Sequence, residues 1–211
     1  MRIRLLLVTI AATVLSLVAA SPASAAVSHD EAVGALLTAN EVGKKWHKVA
    51  VSDGMSGILD GCASAQYTSK GLDAKAARAL QFRQDESWIT ERLKSFDTTK
   101  LAGREVNKWV ARYSCDSFQH DGQTFTISKA KVGDFADKTA AFKIKGIVTD
   151  ADGVESPVTA ILVGAKWGHH VVTETQVVVG GLTGAQVGDM RKATIQVAKV
   201  AVEKVDNKLG R

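Results

Sequence analysis

The sequence has no long apolar run after residue 25, so nothing there approaches the roughly 20 residues that a membrane-spanning helix needs. We therefore expect no transmembrane segment in residues 26–211. Only the N-terminus is strongly apolar, because Arg2 and Arg4 precede an apolar run at 5–20 that leads to the small residues Ala23-Ser24-Ala25. This arrangement predicts a secretory signal peptide over residues 1–25, cleaved near Ala25.

The competing interpretations of this N-terminus are a membrane anchor and a lipoprotein signal. The apolar run holds 16 residues, which is short for a bilayer, and it is followed by a cleavage box. No cysteine follows that box, which argues against a lipid anchor at this point. The mature chain, residues 26–211, is therefore expected to be secreted and extracellular.

Cysteine is scarce, since the chain contains only Cys62 and Cys115. An even number of cysteines in an exported chain favours a disulfide, and closing a loop of this length stabilises a fold by roughly 4 kcal/mol. The alternative is a nucleophilic Cys115, which Ser114 and Asp116 flank. An oxidising compartment with a partner cysteine present favours the Cys62–Cys115 disulfide.

A strong net charge is also missing. The full chain has 27 basic and 22 acidic residues, and removal of residues 1–25 takes away two arginines and no acids. The remaining basic pairs, such as Lys44 and Lys45, do not form a run that could follow a phosphate backbone. We therefore expect no nucleic-acid partner, although weak attraction to an anionic cell envelope stays open.

Signatures of catalysis are absent as well. Gly54-Met55-Ser56-Gly57 is not a G-x-S-x-G motif, and the glycine-rich stretch at 180–184 lacks the Lys-Thr or Lys-Ser pair of a phosphate-binding loop. His169 and His170 are adjacent, so both could bind one metal ion only at a bend near Gly168. The sequence predicts no catalytic residue, no metal site and no cofactor.

The first half of the mature chain predicts short helices and a hairpin. Ser28 and Glu31 form a capping-box pattern that begins a helix over 29–37, and Thr38 with Glu41 repeats this pattern before a strand at 46–51. Residues 77–97 predict two strands joined near 85–87. A helix at 98–113 follows, with apolar residues including Trp109 at three- and four-residue spacing, and it leads to Cys115.

After residue 122 the alternation of polar and apolar residues predicts strands near 124–128, 142–149, 155–166 and 171–179. Connections this short join antiparallel neighbours, because a parallel crossover needs a dozen or more residues. A long helix with a narrow polar stripe follows at 184–208. We therefore expect an α+β fold, a single domain over 26–211 in which helices pack on an antiparallel β-sheet.

The order of these features resembles a known family. The export signal, Leu36-Leu37-Thr38 ahead of Glu41-Val42, a cysteine before the first long hairpin and a helix leading to Cys115 are followed by Gly133-Asp134, a three-strand meander and a closing helix. This order is similar to that of the extracellular sensor domain of mycobacterial PknH-type serine/threonine kinases, which has free-standing secreted and lipoprotein relatives in actinobacteria. The resemblance covers most of residues 28–209.

The resemblance implies an antiparallel sheet with packed helices and a solvent-open groove that receives an extracellular ligand. The chain departs from the family pattern because it has neither a kinase domain nor a transmembrane helix, so it is not expected to carry a signal inward itself. Family members often have a second disulfide, whereas this chain has one cysteine pair. No ligand-binding residue of the family is carried over to this chain.

The candidate ligand contacts are aromatic, apolar and histidine side chains near predicted turns: Trp88, Trp167, His169, Met55 and Ile58. Met55 and Ile58 lie in a glycine-rich loop whose apolar side chains either cover a groove or plug the edge of the core. The main hypothesis is a secreted, non-enzymatic binding protein for a small molecule, lipid or glycan fragment. Two alternatives remain, an exported hydrolase acting on envelope polymers and a secreted module that binds or inhibits a protein partner.

Overall fold

The computed structural model describes residues 27–51, 61–62 and 74–210. The helices are α1 (His29–Gly34), α2 (Ala39–Val42), α3 (Thr99–Arg112) and α4 (Gly184–Leu209). The strands are β1 (His47–Val49), β2 (Ala76–Gln84), β3 (Ser87–Ser95), β4 (Ser117–His120), β5 (Gln123–Lys129), β6 (Lys138–Thr149), β7 (Glu155–Trp167) and β8 (His170–Val179). Within these residues no helix is both long and apolar enough to cross a membrane.

The eight strands form one antiparallel sheet in the order β1-β2-β3-β8-β7-β6-β5-β4. The predicted hairpin is β2–β3, and the predicted meander is β6–β7–β8. The pairing of β3 with β8 joins the hairpin to the meander and places Glu91 opposite Glu174. The expected α+β fold with an antiparallel sheet is confirmed.

Helices cover both faces of the sheet. On one face, here called the α4 face, α1, α2 and α4 enclose an apolar cluster with Phe82, Ile89, Leu93 and Val172. On the other, the α3 face, Trp109 and Tyr113 lie against Phe142 in a cluster with strands β4 to β8. Because successive strand residues point to opposite faces, β3 sends Trp88 to the α3 face and Glu91 to the α4 face.

The N-terminal helix α1 is short because the residues that follow it enter the core. Both capping boxes are formed, with Glu31 accepting from the Ser28 N–H at 2.7 Å and Glu41 from the Thr38 N–H at 2.6 Å. The helix expected over 29–37 ends at Gly34 instead. Leu36 and Leu37 are buried beyond it, and the Leu37 N–H donates to a Glu91 carboxylate oxygen at 2.8 Å, so this amide bonds to the sheet rather than to the helix.

A disulfide joins Cys62 to Cys115, as the cysteine count predicts, with their Cα atoms 6.0 Å apart. The Cys62 N–H also donates to the carbonyl of Arg112 at 2.9 Å, which fixes this segment to the end of α3. Strand β4 begins two residues after Cys115 and was not predicted. Its sequence signal is Asp121-Gly122, which forms a tight hairpin turn with positive φ at both positions, 48° and 76°.

The packing of α3 on the sheet depends on a glycine in β7. Gly164 lies under the Trp109 indole, and a methyl group at this position would be 2.6 Å from Cζ3 and 2.8 Å from Cε3 of that ring. Such distances are shorter than van der Waals contact, so the helix or the ring would have to move. By contrast, Gly188 in α4 has open space around its Cα.

We predict that the same substitution has opposite effects at these two glycines. Gly164→Ala should lower the free energy of unfolding by about 1–3 kcal/mol, because it overpacks the indole. Gly188→Ala should raise it by about 0.5–1 kcal/mol, because alanine is the better helix former. Urea denaturation measures both, and equal stability of the Gly164→Ala variant and the unsubstituted chain would show that α3 packs differently.

Candidate functional site

A cleft of about 560 Å³ lies on the α3 face, at the end of the sheet where the β2–β3, β4–β5 and β6–β7 turns meet. We call it the Trp88 cleft. Its apolar lining is Trp88, Phe125, Ile147, Val148, Val154 and Val179, and its polar lining includes Glu86, His120, Asp121, Gln123 and Asp150. Ile147 and Val154 are 40% and 57% exposed, so the cleft holds two of the four large apolar side chains that stand out to solvent in the described chain.

An arginine fixes the indole at one wall of the Trp88 cleft. The Arg83 guanidinium carbon lies 5.2 Å from the centroid of the Trp88 ring, a cation–π contact between paired residues of β2 and β3. Arg83 also donates from Nε to the Asp85 carbonyl at 3.0 Å and approaches the Glu86 carboxylate at 3.7 Å. Trp88 is half-buried at the cleft wall, so its indole can serve as a flat apolar platform.

The polar side chains of the cleft are already organised. His120 Nε2 lies 3.2 Å from an Asp121 carboxylate oxygen. Asp150 accepts the backbone N–H groups of Asp152 and Val154 at 3.0 and 2.9 Å, which shapes the β6–β7 turn. Glu86 lies beside Arg83, so Glu86, Asp121 and Asp150 each have a partner within the protein. The cleft therefore combines an apolar floor with a polar rim, an arrangement that is typical of ligand sites.

The structure places the predicted contacts at two ends of the sheet. Trp88 lies opposite Val177 of β8, whereas Trp167 lies opposite His170 of the same strand. His170 and Val177 are seven residues apart, which is about 23 Å along the strand at roughly 3.3 Å per residue. Trp167 also points to the α4 face, where its indole N–H donates to Asp206 at 2.9 Å. Trp88 and Trp167 therefore do not line one common site.

His169 lies in the β7–β8 turn beside Trp167 and is 7% exposed. Its ring centroid is 4.1 Å from that of His170, and Gly168 provides the bend with φ of 55°. Among the described residues, no group of three or more His, Cys, Asp or Glu side chains is placed to hold a metal ion. Met55 and Ile58 lie outside the described residues.

A shallow basic groove adjoins the other side of Arg83. It is lined by Lys44, Lys45, His47, Val49, Arg83, Gln84 and Asp85, with a volume of about 740 Å³. Lys44 and Lys45 occupy the turn closed by the hydrogen bond from the Trp46 N–H to the Gly43 carbonyl at 3.0 Å. The groove runs along the edge strand β1, so Arg83 separates a basic surface from the Trp88 cleft.

Sequence reasoning missed a pair of buried acids on the α4 face. Glu91 and Glu174 are directly opposite each other on β3 and β8, and both are 0% exposed. One carboxylate oxygen of Glu91 accepts a hydrogen bond from the Leu37 N–H. The second Glu91 oxygen accepts none from the described protein groups, and neither do the two oxygens of Glu174. Glu174 lies in a run of threonines and glutamine that resembles a solvent-facing strand, whereas Glu91 alternates with Ile89 and Leu93, a signal that it shares their apolar face.

Burial dominates the ionisation of this acid pair. Loss of solvent raises the pKa of Glu91 to about 7, and the Leu37 N–H and Lys204 only partly oppose this effect. The pKa of Glu174 is raised well above the ordinary value, first by burial and then by the charge of Glu91. Both shifts favour the protonated form of the pair in the folded chain. The two acids converge, but in the core rather than in the open cleft that the hydrolase alternative requires.

A serine–histidine contact lies on the same face. Ser95 Oγ is 2.8 Å from His170 Nδ1, and both residues are at most 1% exposed. Burial, and then the neighbouring His169, lowers the pKa of His170 to about 4, so its imidazole is neutral in the folded protein. A nucleophile at this depth cannot meet a substrate, and the contact instead joins β3 to β8.

Comparison with solved structures identifies a similar fold. The crystal structure of the extracellular domain of PknH from Mycobacterium tuberculosis matches with a TM-score of 0.53 and 16% sequence identity, covering 87% of this chain and 99% of that domain. This likeness confirms the expected PknH-type sensor-domain fold. A structure from Bacteroides thetaiotaomicron VPI-5482 matches 69% of this chain and 39% of its own at 11% identity, with a TM-score of 0.26 that supports no argument. No protein-family model and no curated protein matches the sequence.

The buried acids predict an unusual dependence of stability on pH. Since their pKa values are raised on folding, the unfolded chain releases protons that the folded chain keeps, and the free energy of unfolding should fall as the pH rises from about 4.5 through 7. His170 has the opposite effect, because its lowered pKa makes stability rise up to about pH 6.5 and then level off.

We therefore expect a decline in stability between about pH 6.5 and pH 8, where the acid pair dominates. Glu91→Gln should make this decline shallower, because it removes one of the two coupled carboxyl groups. Urea denaturation at several pH values measures the slope. An unsubstituted chain that becomes more stable over this interval would contradict the assignment of raised pKa values.

Proposed function

We propose that this chain is an exported, non-enzymatic binding domain that holds an extracellular small molecule, lipid or glycan fragment in the Trp88 cleft. The observation that carries the proposal is the cleft itself. Its volume of about 560 Å³ falls within the roughly 300–1,000 Å³ of small-molecule sites. A half-buried indole, apolar floor and polar rim provide the contacts that an amphipathic ligand or a sugar ring needs.

Export is part of this proposal. The N-terminal sequence favours a signal peptide cleaved near Ala25, and the Cys62–Cys115 disulfide suits an oxidising compartment. The fold is that of a domain described as extracellular in its own protein, which agrees with the same location. Residues 26–211 would then form the mature binding domain.

The alternative of a protein-interaction module favours a different surface. Such a module is expected to present a contiguous apolar patch without a cavity. In the described chain the large exposed apolar side chains are Val33, Val51, Ile147 and Val154, and the last two belong to the cleft. Their placement supports a concave site better than a flat one.

The two half-buried tryptophans at opposite ends of the sheet provide a matched test. Ligands would be sought among soluble glycan fragments and lipids extracted from a bacterial envelope, using the shift in thermal melting of the mature chain. A ligand at one hundred times its Kd should stabilise the fold by about 2.7 kcal/mol. We expect Trp88→Ala to abolish most of this shift and Trp167→Ala to preserve it.

Each variant is compared with its own ligand-free melting temperature, because Trp167→Ala also removes the hydrogen bond to Asp206 and lowers the baseline stability. Loss of the ligand shift in Trp167→Ala but not in Trp88→Ala would refute the assignment of the cleft. A broad envelope screen that produces no shift at all, or the conversion of any component by the protein, would refute the binding function.

A further inference from the structure

The buried acid pair lies where the N-terminal arm, residues 27–46, meets the sheet. Leu37 is the point of contact, since its N–H donates to Glu91 at 2.8 Å within the core. This contact connects residues 54 positions apart in sequence. The arm is therefore held to the centre of the sheet through one carboxyl group of the pair.

The rest of the arm is attached by apolar packing and one ion pair. Ala32, Ala35, Leu36 and Leu37 are buried in the cluster that includes Val202 and Val205 of α4. At the surface, Lys204 donates to the Glu41 carboxylate at 2.7 Å. Short helices of six and four residues contribute little stability of their own, so the arm depends on these contacts.

The facing carboxyl oxygens of Glu91 and Glu174 can lie close together in the core only if they share a proton. Side chains directly opposite each other in an antiparallel pair have Cβ atoms about 4.5–5.5 Å apart, and two carboxylates this close in a dry core repel strongly. If Glu174 keeps its proton, its O–H can donate to the free oxygen of Glu91, while the other Glu91 oxygen continues to accept from Leu37. One proton thus satisfies the Glu91 oxygen that otherwise has no partner.

We propose that Glu91 and Glu174 share one proton that keeps the N-terminal arm docked, and that loss of this proton releases the arm from the sheet. With the proton gone, two negative charges face each other without water. Undocking of residues 27–46 would admit water to the pair while the sheet stays paired. This conformational device lies on the α4 face and is independent of ligand binding in the Trp88 cleft.

The surrounding charged groups set the pH at which release occurs. Lys204 from α4 favours ionisation of Glu91, and Glu41 from α2 opposes it. On the strand of Glu174, His170 lies on the same face with a neutral ring. On β2, which flanks the strand of Glu91, Arg78 turns its guanidinium to the Ala77 carbonyl. From β7, the residue opposite Glu174 is the apolar Val163. Raised pKa values of both acids favour docking at acidic to neutral pH and release above it.

Hydrogen–deuterium exchange of the mature chain tests the proposal directly. Exchange would be followed at about pH 5.5 and about pH 8.5, and corrected for the intrinsic effect of pH on amide exchange. In the unsubstituted chain, peptides covering 29–42 should lose about tenfold or more of their protection at the higher pH. Peptides from β7 should keep theirs, which distinguishes release of the arm from global unfolding.

Glu174→Gln separates the shared proton from other effects of pH. The glutamine amide can donate permanently to Glu91, so the arm should stay protected at both pH values. Glu105→Gln is the matched control on the α3 face, where Glu105 pairs with Lys94 at 2.5 Å, and it should leave the pH dependence unchanged. An unsubstituted arm equally protected at both pH values, or a Glu174→Gln arm that still loses protection, would overturn the proposal.

Infrared spectroscopy in D2O provides a second, independent measurement. A buried protonated carboxyl group gives a carbonyl stretch that is separate from carboxylate bands. This band should persist in the unsubstituted chain at about pH 6, above the ordinary glutamate pKa, and disappear as the arm is released. Its absence at that pH would refute the shared proton even if a variant failed to fold.

Discussion

The burial of β7 on both faces is the constraint on which the rest of the structure depends. Residues 158–165 are all buried, so this strand can exist only where helices cover both sides of the sheet. α4 covers one side and α3 the other, and Gly164 lets the Trp109 ring approach the strand closely. With both central faces occupied, the open surface lies at the sheet ends, and the Trp88 cleft forms at one of them.

The sequence predicted those elements that depend on local patterns. The hairpin near 85–87, the meander, α3 and α4 follow from alternation, helical spacing and caps, and the disulfide follows from an even cysteine count. The pairing of β3 with β8 could not be predicted in this way, because it joins segments about 80 residues apart through contacts that no local pattern records. The early end of α1 has the same origin, since a buried acid far along the chain binds the Leu37 N–H.

The candidate site was only partly predictable for a related reason. Trp88 and Trp167 both lie near turns, but sequence does not reveal that these turns are at opposite ends of the sheet. The acid pair was missed because acidic side chains are expected to face solvent, although Glu91 alternates with the apolar Ile89 and Leu93. In the folded chain both acids are fully buried. The cleft lining comes from three hairpin turns and the ends of the adjoining strands, so Trp88 and Phe125 line one cleft only through the order of the strands.

Burying two acids in a protein core is energetically unfavourable compared with burying apolar side chains. Even a buried pair of opposite charges can often be replaced by well-packed apolar side chains with a neutral or stabilising effect of about 1–4 kcal/mol. Ile89, Leu93 and Val172 share the face of Glu91 and Glu174 with the polar Gln176, so a leucine at either position would meet a largely apolar environment. What leucine could not provide is an acceptor for the Leu37 N–H, which would then be a buried donor without a partner. The need for an acceptor of the Leu37 N–H explains Glu91. Glu174 takes part in the same contact only through the proton that it shares with Glu91.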